Sequence, residues 1–193
     1  GLQDDTVGEI RIPDWCCGEG VMQVHAAAGS VLGPTVRSST ALPKLEAGYA
    51  RCVKDSGAEA MCCPSFYEEV GQVLLRDPKI VVRTANGGVS PVSAIISMSA
   101  SIKCDSGSNA VGIIKQAITL KDVPKFLWSI SYAAYVMDVR SVFGSKSQPT
   151  NYMYFPCGDV TTFYGPPYFV DVKFGHPGKI PPQDSIILDA CSG

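Results

Sequence analysis

The sequence predicts an all-β domain, a two-sheet sandwich of about eight strands with one or two short helices. Three observations carry that expectation. Apolar and polar residues alternate with period two over residues 94–103, strand-like runs dominate from residue 79 onward, and short clusters of Gly, Pro, Ser, Asp and Asn separate the runs. The 193 residues suit a single domain spanning 1–193, long enough to bury a core without staples.

The clearest element is the run in which Ala94, Ile96, Met98, Ala100 and Ile102 alternate with Ser97, Ser99, Ser101 and Lys103, the signature of a half-buried strand. Asp105-Ser106-Gly107-Ser108-Asn109 is turn chemistry and Val111 to Leu120 resumes an apolar, β-branched run, so the pair reads as a hairpin. After the break at Val123-Pro124, Phe126, Trp128, Ile130 and Tyr132 alternate with Leu127, Ser129 and Ser131 and predict another strand. Two more are expected at Asn151 to Phe155 and at Tyr168 to Phe174, the latter with Tyr168, Val170, Val172 and Phe174 on one face. In the first half the candidates are Val21 to Ala27 and Lys79 to Thr84. A helix is expected after Pro64, because Phe66, Tyr67, Val70, Val73 and Leu74 recur at helical spacing, Glu68 and Glu69 sit in the first turn, and Asp77-Pro78 ends the run.

Composition narrows the function classes. Hydrophobic residues make up 46% and Asp, Glu, Lys and Arg only 18%, which excludes disorder by excess charge and asks for burial surface beyond the chain's own core. Lys and Arg number 16 against 18 Asp and Glu, a net charge of -2, so the chain lacks the field of a free-standing nucleic-acid binder. No apolar run approaches the roughly 20 residues of a membrane span, and a soluble protein with no membrane partner is expected. Gly1 stands where a Met is expected, which fits either a tag remnant or the new end left by cleavage of a precursor.

The eight cysteines, Cys16, Cys17, Cys52, Cys62, Cys63, Cys104, Cys157 and Cys191, include two adjacent pairs set far apart rather than the short-spaced knuckles of a zinc site. None of Asn86, Asn109 and Asn151 begins a glycosylation sequon, so reduced thiols are expected, with most acting as small buried hydrophobes. No metal ligand set and no cofactor-binding motif is assigned.

Two constellations invite a catalytic reading. Cys104-Asp105-Ser106-Gly107-Ser108 resembles the nucleophile loop of chymotrypsin-like proteases, with Ser106 as nucleophile and His25 as base. Cys157-Gly158 with Gly175-His176 resembles the nucleophile and pocket histidine of picornavirus-type cysteine proteases. The glycines that free the backbone to build an oxyanion hole are missing from both loops. A hairpin turn, and a strand exit at Gly175-His176-Pro177-Gly178, account for these residues more simply, so no catalytic residue is assigned. The aromatics Tyr152, Tyr154, Phe155, Phe163, Tyr164, Tyr168 and Phe169 lack interleaved cations and read as core or subunit contact rather than as a base-stacking platform.

Leu120-Lys121-Asp122 followed by Trp128 and Tyr132, then Gln148-Pro149-Thr150 leading into Asn151 to Phe155, and Asp77-Pro78-Lys79-Ile80-Val81-Val82-Arg83 followed by the strand through Ile95, Ile96 and Met98, together resemble a known family. The chain is similar over residues 77–175 to a jelly-roll domain in the coat proteins of secovirids, the picorna-like plant viruses that include nepoviruses and cheraviruses. The resemblance implies an eight-stranded antiparallel jelly roll and a structural, non-enzymatic role in an icosahedral pseudo-T=3 shell. It implies as partners the other coat proteins of the same polyprotein, weakly and indirectly held single-stranded RNA, and a vector or host factor. It places the chain in the virion, and in the host cytoplasm during assembly, and its size is most like a small cheravirus coat protein. It also accounts for Gly1 as a cleavage product. A chymotrypsin-like viral protease is the alternative reading, and a secreted disulfide-linked binding module is the third.

Overall fold

The structure, a computed structural model, describes residues 21–23, 42–84, 87–178 and 186–187. The strands are β1 (Val21–Gln23), β2 (Ala50–Asp55), β3 (Met61–Pro64), β4 (Gln72–Arg76), β5 (Val81–Arg83), β6 (Val89–Lys103), β7 (Asn109–Leu120), β8 (Leu127–Ser129), β9 (Arg140–Val142), β10 (Asn151–Tyr154), β11 (Val160–Phe163), β12 (Phe169–Gly175) and β13 (Ile186–Ile187). A 3-10 helix covers Ser65–Glu69 and one α-helix, α1, covers Ile130–Tyr135. The all-β expectation holds, with more strands than the eight expected, most of them short beside β6 and β7.

The hairpin is the backbone of the fold. β6 and β7 pair antiparallel from Val92↔Leu120 to Lys103↔Asn109, with irregularities between Val92 and Ala94 and between Ile96 and Met98. Around them the hydrogen-bonded path closes on itself: β6 pairs with β12, β12 with β2, β2 with β8, β8 with β3, β3 with β7, and β7 again with β6. This ring is mixed, because β2–β8 and β3–β7 run parallel, as do β1–β5 and β7–β13. The fully antiparallel sheet expected from the sequence is therefore corrected. The physical reason lies in runs such as Met61-Cys62-Cys63 and Phe126-Leu127-Trp128, apolar at every position and so suited to strands covered on both faces.

Successive residues do feed two cores. Cys52, Met61, Trp128 and Val170 join a larger cluster with Ala94, Ile96, Met98, Ala100 and Ile102. Their chain neighbours Val53, Cys62, Leu127 and Phe169 join a smaller one with Ile95 and Ile118. β6 is thus buried more completely than the half-buried strand expected. Ser97, Ser99 and Ser101 are also shielded, and Ser97 Oγ donates to Ile114 O at 3.2 Å. Each large apolar side chain so buried contributes roughly 1.5–3 kcal/mol.

Two elements differ from expectation for local reasons. The helix expected through Leu74 stops after one 3-10 stretch, and Val73 and Leu74 enter β4, which pairs with β6. The switch occurs at Gly71, where a Cβ would meet Met98 Cγ and the Ser97 carbonyl at 2.5 Å; only glycine lets the chain lie that close to β6. The strand expected across 126–132 ends at Ser129, whose hydroxyl accepts from Tyr132 N at 3.0 Å and starts α1. Of the run expected over Val21 to Ala27, only β1 lies within the described residues.

β9, β10 and β11 form a separate antiparallel sheet in the order β11-β10-β9. Met153, Phe155 and Phe163 attach it to the larger core.

Candidate interaction surface

The two loops singled out as nucleophile sites meet at the end of the three-stranded sheet. Asp105 N donates to Val160 O at 3.0 Å, and Ser106 Oγ to Asp159 Oδ2 at 2.8 Å. Thr162 donates from both N and Oγ1 to Asp105. Ser106 is thereby held in turn chemistry by a carboxylate and by Ser108 N. The base once considered for it, His25, lies outside the described residues. Cys157 is exposed in the turn between β10 and β11, where Gly158 has φ +96° and its amide is spent on Phe155 O. His176 Nδ1 accepts from Gly178 N at 3.0 Å, as expected of a strand exit. Among the described residues no hydrogen bond joins Cys157 to His176, whose Nδ1 is taken by its own turn.

Cys52, Cys62, Cys63 and Cys104 are buried free thiols. Burial pushes all four thiols up, Cys104 to about 12 with help from the nearby carboxylate of Asp159. Cys16, Cys17 and Cys191 lie outside the described residues. Among the described residues no group of three or more His, Cys, Asp or Glu is placed to hold a metal ion.

A groove of about 240 Å³ runs beside these turns, with Lys44, Glu46, Tyr49, Arg51, Asp105 and Asp171 in its walls. Its charges are largely used within the fold. Arg51 forks onto Asp171, with Nε and the second guanidinium nitrogen at 2.8 and 2.9 Å from the two carboxylate oxygens, and also donates to Pro43 O. Lys103 lies 3.6 Å from Glu46.

The register of the three-stranded sheet aligns Arg140 with Tyr154 and Val160, and Val142 with Tyr152 and Thr162. The Arg140 guanidinium lies over the Tyr154 ring at 4.8 Å, and the Tyr152 and Tyr154 rings are 6.1 Å apart. Among the described strands β9 pairs only with β10, and none pairs with its other edge. Val142 is exposed on β9, Phe143 is 41% exposed with its ring packed edge-on against Phe163 and Tyr168, and Val136 and Tyr135, the latter 90% exposed, project at the end of α1. The sequence reading noticed the tyrosines. It missed Arg140 and Val142, because only strand register brings residues 140–142 beside 152–154.

No protein-family model matches the chain, and neither a curated protein nor a solved structure matches it.

Proposed function

We propose that the chain is a structural subunit of an icosahedral pseudo-T=3 viral shell, folded as a jelly roll and assembled with other coat proteins of the same precursor around single-stranded RNA. The carrying observation is the β9 edge that no described strand pairs, with Val142 exposed on it, Tyr135 and Val136 exposed at the end of α1, and the Arg140, Tyr152 and Tyr154 face beside it. Tyr, Arg and apolar side chains of this kind are what protein interfaces concentrate, and an unpaired edge is a template for a neighbour's strand. The 18% charged composition points the same way, as does the resemblance over residues 77–175.

The test is particle sizing of the full chain expressed together with the remaining coat proteins of its precursor. Closed shells containing the chain are expected, and Tyr135→Lys with Val142→Lys should abolish them while leaving the subunit folded. A chain that stays monomeric in every combination would overturn the reading.

A further inference from the structure

Lys54 is the one charged side chain that is buried among the described residues, at 4% exposure. It shares the face of β2 that carries Cys52 into the larger core. Both groups that receive its amine belong to the other sheet. Nζ lies 2.6 Å from Ser141 Oγ of β9 and 3.6 Å from the centroid of the Phe163 ring of β11. The polar ties from Asp105 and Lys103 to this sheet, made to Val160, Thr161 and Thr162, all sit at its opposite edge, on β11.

We propose that Lys54 is a pH-sensitive latch between the two sheets: with a neutral amine the three-stranded sheet sits firmly on the ring, and with an ammonium it loosens. An ammonium buried here gives up its hydration and regains one hydroxyl and one aromatic face, with no carboxylate among the described residues to meet it. On its own strand, Arg51 is occupied by Asp171 of β12, and Asp55 Oδ1 accepts from Gly57 N. Cys52 on the same face is a thiol, not a charge, its pKa pushed well up by burial. From β9, Arg140 sits over Tyr154 on the far face, and the segment before β12 offers only the Tyr168 phenol beside Phe163. None of these moves the Lys54 amine, which burial alone brings down to about 7.

The sign of the effect follows from where the proton binds. In the undocked state the amine keeps its ordinary affinity, near pH ~10.4, so between about 7 and that value the undocked state holds more protons. Docking therefore strengthens as pH rises through this window, by up to about tenfold per pH unit, and Lys54 adds no further dependence below it.

The proposal stands apart from the shell reading and is tested on the isolated full chain. The Lys54 Cε resonance should titrate near pH 7, well below the ordinary lysine value of ~10.4. Protection of the β10 amides, corrected for intrinsic exchange, should rise from pH 7 to 9 in the wild type and stay flat in Lys54→Met. A Lys54 resonance that titrates near 10 overturns the latch, and so do parallel protection profiles in the two proteins. Should Lys54→Met fail to fold, the wild-type titration decides by itself.

Discussion

Side chains in this molecule are placed by what faces them rather than by their own character, and Lys54 and the cysteines make the point. A lysine at every second position of a strand ordinarily marks the wet face, so Lys54 in Ala50–Asp55 gives no sign of burial. Its shelter comes from β9, 87 residues later at Ser141, and from β11, further on still at Phe163. Cys62 and Cys63 were legible as buried apolar residues, and both have no exposed surface. Alkylation of the native protein without reductant should therefore label Cys157 readily and Cys52, Cys62, Cys63 and Cys104 only after denaturation, as read by peptide mass. Rapid native labelling of the four would contradict the packing described. The Arg51–Asp171 fork is partly exposed, at 21% and 27%, and solvent screens part of its strength. Arg51→Met should cost about 1 kcal/mol in urea unfolding.

At the scale of elements, periodicity is reliable where neighbours along the chain are also neighbours in space. The β6–β7 hairpin carries its own turn and its own partner, and its turn end was readable to within two residues, although β6 begins at Val89, five residues before the expected run. β4 and α1 fail the same test because single residues redirect the chain. Gly71 admits a close approach to Met98 that no periodicity encodes, and Gly71→Ala should destabilise by about 1–3 kcal/mol by forcing Ser97 and Met98 apart from the 3-10 segment. Ser129 accepts from Tyr132 N and donates to Ala58 O at 2.7 Å, so it ends a strand and begins a helix with one hydroxyl. Ser129→Ala should cost about 1–2 kcal/mol in a urea midpoint, with Ser129→Thr recovering most of it. The short strands β2, β3, β8 and β9 were partly or wholly illegible, since each finds its partner only through the ring or the second sheet.

For the whole molecule, the electrostatic reading of the sequence becomes sharper once the cations are placed. A net charge of -2 already implies little counterion release on RNA. The fold then removes several of the cations that remained available on paper. Lys54 is inside, Arg51 is held by Asp171, Arg76 by Glu68 at 2.8 Å, and Lys103 faces Glu46. Arg140, the cation of the Tyr152–Tyr154 face, stacks on its own tyrosine instead of standing free for phosphate. Base stacking on that face would proceed with little electrostatic support, since each neutralised phosphate contributes a salt slope of only ~0.7 for single strands. The isolated chain should therefore bind single-stranded RNA weakly at physiological salt, with a shallow dependence on salt concentration. Filter binding over a salt series measures both quantities. Submicromolar affinity with a steep slope would mean that these pairs open to release their cations, and Asp171→Asn or Glu68→Gln would then tighten binding further.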